Sequence, residues 1–409
     1  MAALKYWVWL ASLPGLFNRS KLLLLEHFSS PEDVYYADEI NIAQVEGLAK
    51  EQASLVADKS MTRANEILSD CARKDIFIVT MQDAQYPARL RNIYDPPILL
   101  YGRGAMPLFD DEVPITLVGT RSCTPYGISC AEKLGYELGH QGAIVVSGMA
   151  KGIDAAALRG ALRAGGFTVA VLGGGVDVIY PAENRRLYED ILASGVILSE
   201  YPPQTEPASW HFPARNRIMS GLSVGTVVVE APEKSGALIT ANTAVEQGRD
   251  VFAVPGPIDA PNSAGCHRLI REGAGLVRCG WDVLEEYVAR YPHKLRDPEV
   301  CMPEMPEKSG APKLPEEKTE LEEQQKEAPA LPVIDLAQTE LTDDQLRVLQ
   351  ILPTDTPMLT DDVAEETGLP VRRVLSALTV LEIDGYACQQ GARSFLRTAV
   401  LENNEEVEI

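Results

Sequence analysis

Cationic residues are scarce in this chain. Its 409 residues hold 37 Lys and Arg against 59 Asp and Glu, a formal net charge of −22. A whole-chain sum of that sign argues at first against a nucleic-acid partner. Long apolar runs are lacking too, and nothing approaches the ~20 apolar residues that a membrane helix needs. The opening MAALKYWVWLASLPGLFNRSKLLLLEHF is interrupted by Pro14-Gly15 and Asn18-Arg19 and carries no small-residue cleavage site, so it is not read as a signal peptide. Histidine and cysteine are few, five and seven. No C-x-x-C pair occurs, and Cys266-His267 has no partner pair. That excludes a metal centre and leaves scattered thiols of the reduced, cytosolic kind. A soluble cytoplasmic protein without membrane contact is expected.

The familiar nucleotide signatures are also missing. Gly173-Gly174-Gly175 is not G-x-G-x-x-G after a first strand, and Gly148-Met149-Ala150-Lys151 lacks Walker A spacing. There is no G-x-S-x-G elbow and no credible Ser/His/Asp set. No catalytic residue and no cofactor are assigned.

What is present is organised. At 45% apolar content, 409 residues suffice for two or three domains with a sizeable core. Residues 1–80 read as short helices divided by Pro and Gly, with Ser30-Pro31-Glu32-Asp33 a helix start, suiting a small SAM-like or helix-hairpin-helix module. Residues 81–291 alternate apolar strands with helices. Ile115–Val118, Ala143–Val146, Thr168–Leu172, Val196–Leu198, Val224–Val229 and Asp250–Val254 read as strands, and Pro125–His140 and Ile153–Ala164 as helices. Continuous apolar strands alternating with helices predict a parallel, doubly wound α/β sheet. Residues 292–338 form a Pro/Glu/Lys-rich linker read as disordered. Residues 339–400 read as three helices and a β wing, a winged helix, and 401–409 as an acidic tail. Charge is uneven: residues 81–290 carry 18 Lys/Arg against 23 Asp/Glu, and 291–409 carry 11 against 25. Most of the acid therefore lies outside the sheet domain, and binding follows the local potential of a cleft more than the total.

In such a sheet, ligands bind beyond the carboxyl ends of the strands. The informative residues fall there: Gly119-Thr120-Arg121; Ser147-Gly148-Met149-Ala150-Lys151-Gly152; Gly173-Gly174-Gly175; a loop with Phe212, Arg215, Asn216 and Arg217; Glu230; and Lys234-Ser235-Gly236. Glycine admits close approach to the main chain, hydroxyls donate, helix N-termini add partial positive charge, and Arg121, Lys151, Arg215 and Arg217 add full charges. Such a cleft suits phosphate oxygens. Plainer readings stand beside this one. Gly173–Gly175 could be a tight connection, and Asp154 a first-turn dipole partner or arginine clamp. Glu200 and Glu230 could be acid/base groups or orient arginines, and Tyr180-Pro181 could only shape a loop. The site reads as poor in aromatics, with Phe212 the nearest.

These loops together resemble the DprA/Smf family of DNA-processing proteins. The resemblance rests on GTR at 119–121, SGMAKGIDAAAL at 147–158, LGGGVDVIYPAEN at 172–184, LSEYPP at 198–203, FPARNRIMSGLS at 212–223, VVEAPEKSGALITANTA at 228–244 and VFAVPG at 251–256. Thr120 stands where the family pattern usually has Ser, which keeps a hydroxyl. The resemblance implies an extended Rossmann-like domain that binds single-stranded DNA, dimerises, and loads RecA during natural transformation. Its implied DNA contacts are Thr120, Arg121, Ser147, Gly148, Met149, Ala150, Lys151, Gly152, Arg215, Asn216, Arg217, Ser235 and Gly236, with Lys234 a weaker addition. Losing Arg215 and Arg217 together is expected to flatten the salt dependence by two charges, and Lys151→Ala to act likewise. The C-terminal module, with five Lys/Arg against ten Asp/Glu in 340–398, is read as a protein contact or a weak duplex-DNA contact. Two other classes remain open: a nucleotide hydrolase using Glu230 or Asp177, and a winged-helix transcription regulator.

Overall fold

A computed structural model of the chain describes residues 3–296, 333–335, 341–354, 358–389, 394–398 and 400–402. They fall into two units, residues 1–308 and 309–409, each described on its own. The expected linker lies mostly, and the acidic tail almost wholly, outside the described residues.

The first unit is built on nine strands: β1 (Phe77–Thr80), β2 (Leu99–Gly104), β3 (Pro114–Val118), β4 (Ile144–Ser147), β5 (Thr168–Val171), β6 (Gly195–Ser199), β7 (Gly225–Val228), β8 (Asp250–Ala253) and β9 (Gly275–Leu276). Their spatial order is β1-β2-β6-β5-β4-β3-β7-β8-β9. The seven strands from β6 to β9 in that order run parallel, whereas β1 and β2 are added antiparallel beyond β6. The order reverses at β3, whose neighbours are β4 on one side and β7 on the other, so a ligand crevice is expected above β3 and β7.

Strand periodicity sorts the core into two layers. Ile115, Leu117, Val145 and Ala170 face one layer, and Val118, Val146, Val169 and Val171 the other. Six N-terminal helices join the first layer: α1 (Leu4–Ser12), α2 (Asn18–Phe28), α3 (Pro31–Tyr36), α4 (Glu39–Ala43), α5 (Lys50–Leu55) and α6 (Thr62–Arg73). After the short α7 (Ala88–Arg91), helices α8 (Pro125–His140), α9 (Ile153–Arg163) and α10 (Arg185–Ser194) complete that layer. The other layer holds α11 (His211–Leu222), α12 (Gly236–Glu246) and α13 (Ala264–Arg271). The helical N-terminal stretch ends sooner than expected, because Phe77 already opens the sheet.

Helices α8 and α9 meet backbone to backbone. A Cβ on Gly135 would lie 2.1 Å from the Ala157 carbonyl oxygen, and one on Gly160 2.1 Å from that of Glu132. Only glycine permits this seam. It ties the turns that follow β3 and β4 to a single helical pair.

The second unit contains helices Asp343–Ile351, Thr360–Thr367 and Val371–Ile383. A three-stranded antiparallel sheet, Met358–Leu359, Ser394–Arg397 and Ala387–Gln389, supplies the wing. Val348, Leu349, Val363, Val374, Leu378 and Leu381 form its own buried core. This is the expected winged helix.

Candidate nucleic-acid interface

Above the carboxyl ends of β3, β5 and β7 lies an open cleft of about 640 Å³. The turn after β3 supplies Gly119, Thr120 and Arg121, and the turn before α9 supplies Ala150. Tyr180, Phe212, Asn216, Lys234, Ser235 and Gly236 complete most of the rim, with Asp154 and Arg215 beneath.

The stretch 147–152 is built mainly for the chain itself. The Ser147 hydroxyl donates to the Leu117 carbonyl at 2.7 Å and is fully buried, as is the Met149 side chain. Gly148 presses against a guanidinium: a Cβ there would sit 2.3 Å from Arg215 Nη2. Gly152, at φ +80°, leaves room for the Thr120 carbonyl, 2.6 Å from where its Cβ would be. Ala150 faces the cleft. Lys151 is exposed and bridges to Glu183 Oε2 at 2.7 Å.

Arg215 is the group this turn grips. Its Nη1 donates to the carbonyls of Gly148, at 2.8 Å, and Val171, and its Nε to Asn216 Oδ1 at 3.2 Å. It is 3% exposed, and burial pushes its pKa down to about 10, with Asp154 opposing. Burial also raises the Asp154 carboxyl, against the pull of Arg215, and this carboxylate accepts from the Gly148 amide at 3.2 Å. Asp154 stands in the first turn of α9, as one of the two sequence readings has it, and acts on Arg215 through its charge with no direct ion pair between the two. The Arg215 cation forms the floor of the cleft and is held there by main-chain carbonyls.

The expectation that Arg217 joins Arg215 as a free cation is corrected by the fold. Residues 212–217 are not a loop but the first turns of α11, where residues two apart point about 200° from each other. Arg217 therefore faces away. Its Nε donates to Asp95 Oδ2 at 2.9 Å, and its Nη2 to both Glu200 oxygens at 2.8 and 2.9 Å. Burial alone would lower its pKa, but Glu200 and Asp95 overturn that and hold it above its ordinary value. Asn18 of α2 donates to Asp95 Oδ1 at 2.8 Å, so this network also fastens the N-terminal helices to the sheet.

The carboxylates considered for catalysis are committed elsewhere. Glu230, 2% exposed, accepts from the Thr124 amide at 2.9 Å and its hydroxyl at 2.5 Å. Thr124 is the N-cap of α8, accepting from the Gly127 amide at 3.1 Å. Thr124→Ala is expected to cost about 1–2 kcal/mol, the usual loss of an N-cap, with Thr124→Ser near wild type; urea midpoints check it. Asp177 pairs with Lys74 of the segment after α6 and accepts from the Gln204 amide at 2.8 Å. His211 is buried, its Nδ1 2.8 Å from the Gly173 carbonyl, and burial lowers its pKa. Gly173–Gly175 forms a connection whose Gly173 carbonyl meets His211 and whose Gly175 amide donates to the Thr205 carbonyl at 2.9 Å.

Arg121 and Lys234 remain on the rim, both exposed and without an ion pair among the described residues. The Arg121 guanidinium lies over the Phe212 ring, 4.9 Å from its centroid. Thr120 Oγ1 accepts from the Ser122 amide at 3.2 Å, and its main chain is tied to Glu230 and Ile153. Ser235 caps α12, accepting from the Ala237 amide at 3.3 Å, and Gly236 has open space beside it. Phe212 is joined in the cleft lining by one other aromatic residue, Tyr180. The Tyr180 ring stands 5.8 Å from that of Phe212. Tyr180 lines the cleft from the segment that follows the carboxyl end of β5. Among the described residues no cluster of three or more His, Cys, Asp or Glu could hold a metal, and no helix is long and apolar enough to cross a membrane.

Comparison with known proteins places the chain in a family. Residues 77–288 match the family described as DNA recombination-mediator protein A, and residues 334–393 match the DprA winged helix domain. The DNA processing protein DprA of Bacillus subtilis is 43% identical over 224 residues, 55% of this chain and 75% of that protein. That of Streptococcus pneumoniae is 48% identical over 206 residues, 50% of this chain and 72% of that protein. The solved structure of the Streptococcus pneumoniae protein, 39% identical, covers 69% of this chain and 97% of that one at a TM-score of 0.60. A Helicobacter pylori DNA processing protein A, solved for its single-stranded DNA binding mode, is 30% identical over 52% of this chain and 97% of that one, at a TM-score of 0.48. With both its modules matched and relatives of this likeness covered over some three-quarters of their length, the chain belongs to the DprA/Smf family of DNA recombination mediators.

Proposed function

We propose that the chain binds single-stranded DNA in the sheet-end cleft, without reading its sequence and without making or breaking bonds, and hands it to RecA during transformation and recombination. Charge placement carries the reading. In a chain of net charge −22, the charged lining of the cleft is Arg121, Arg215 and Lys234 against Asp154 alone. Such a site draws a polyanion locally while the rest of the surface repels it. The α12 N-terminus adds amide donors beside Lys234, and Tyr180 and Phe212 offer faces to bases, which every base can use. Thr120, Asn216, Ser235 and Gly236 are proposed as direct contacts, with Ala150 and Lys151 at the edge. Ser147, Gly148, Met149, Gly152 and Arg215 act by shaping the floor, and Arg217 is left out of the contact set. A non-enzymatic role is supported by the commitment of Glu230 and Asp177 to structural partners.

RecA as recipient rests on membership of a recombination-mediator family. A homodimer is proposed at the open edge of β9, where Leu276 is 48% exposed. The C-terminal module is read as a protein contact. Arg373 is tied to Asp344 at 2.7 and 2.8 Å, and Val371 and Leu375 leave an apolar stripe on the helix that a DNA reader would line with cations.

The test is a salt series on the full chain with single-stranded and duplex oligonucleotides. Single strands are expected to bind more tightly at every salt concentration, with log affinity falling by about 0.7 per decade for each phosphate held. Equal binding of duplex, or no salt dependence, refutes the reading.

A further inference from the structure

A second depression, of about 620 Å³, lies over α9 and α10. Its charged lining is Glu132, Arg159, Arg163, Glu183, Arg186 and Asp190. Arg163 is held by Glu132 at 2.8 Å, and Glu183 by Lys151. That leaves Arg159 and Arg186 against Asp190 as the groove's side chains without an ion pair among the described residues. Arg159 and Arg163, four apart on α9, share one face of that helix.

The groove adjoins the sheet-end cleft by two short pieces of chain. Ala150 lines the first cleft, and its neighbour Lys151 reaches Glu183 in the second. Tyr180 lines the first, and Glu183, three residues on, the second. The Lys151–Glu183 pair thus stands where the two meet. Its side chains are 56% and 69% exposed, so the pair is weak and Lys151 can exchange a carboxylate for a phosphate.

We propose that a single strand leaving the sheet-end cleft crosses Lys151 and continues into the α9–α10 groove, where Arg159 and Arg186 take further phosphates. The proposal rests on the reading of the first cleft, and deepens it by giving the strand a direction and a longer footprint.

The test uses the full chain and labelled oligothymidylates of about 6 and about 20 nucleotides, read by fluorescence anisotropy across a salt series. The Arg159→Ala/Arg186→Ala variant is expected to bind the longer strand about tenfold more weakly at low salt, with the slope of log affinity against log salt reduced by about 1.4, and the shorter strand within about twofold of wild type. Arg159→Lys/Arg186→Lys, keeping both charges, is expected to restore the slope. Arg121→Ala is expected to weaken both lengths. Wild-type affinity of the double alanine variant for the longer strand overturns the groove while the Arg121 effect keeps the first cleft standing. Equal weakening of both lengths also overturns it, because Arg159 and Arg186 would then serve the first cleft. Loss of the Arg121 effect brings down the first cleft itself.

Discussion

Arg217→Ala is expected to destabilise the first unit by about 3–5 kcal/mol, because it strips a largely buried ion network of its cation and leaves Asp95 and Glu200 uncompensated. The side chain of Arg217 is 13% exposed, and those of Glu200 and Asp95 are 19% and 32%. The partial exposure of Asp95 puts the loss near the lower figure. Lys21 also feels Glu200 and Asp95, but its ammonium already donates to the Ala11 carbonyl at 2.7 Å, so it does not replace the hydrogen bonds that Arg217 makes to both carboxylates. A lower urea midpoint with an unchanged slope of unfolding is the expected signature. The salt dependence of single-strand binding, measured where the variant is still folded, stays at the wild-type slope. A flattened slope with intact stability would mean that Arg217 leaves its carboxylates to hold phosphate, and the assignment of this arginine would be wrong.

Arg121→Ala combined with Lys234→Ala should do the reverse. Both side chains are exposed on the rim, so the fold loses at most about 1 kcal/mol, chiefly the contact between the Arg121 guanidinium and Phe212. Binding loses two phosphate contacts. The salt slope is expected to flatten by about 1.4, and single-strand affinity near 50 mM salt to fall roughly 10- to 100-fold. Arg121→Lys separates charge from shape: it keeps the slope but loses the planar stacking face, so only part of the affinity remains. An unaltered slope in the double alanine variant would remove the sheet-end cleft as the binding site.

Why the sequence pointed to the cleft but misplaced Arg217 has a simple geometric cause. Strands β3 to β8 are mainly apolar runs, ended by Gly or a small polar residue in β3 to β6 and by Glu230 and Pro255 after β7 and β8, and that pattern is local, so it reads directly. The antiparallel additions β1 and β2 do not. Phe77–Thr80 is four residues long and follows a helix, and β2 ends in Gly102-Arg103-Gly104, which reads as a loop. The place of β2 is decided by its pairing with β6, far along the chain, and β1 follows by pairing with β2. The same limit governs Arg215-Asn216-Arg217. Two arginines flanking an amide announce charge, but only a helix starting at His211 says that they point to opposite sides. Gly148 gives a related lesson. Its small size signals close approach, and the approaching group is the chain's own Arg215 before it is any ligand.

The glycine seam between α8 and α9 has a bearing on how a strand is received. With Gly135 and Gly160 allowing main chain to touch main chain, the turns carrying Arg121 and Lys151 are anchored to one closely packed two-helix block. The receiving surface is preorganised. On the proposed function, the entropic cost of docking then falls on the flexible DNA rather than on the protein.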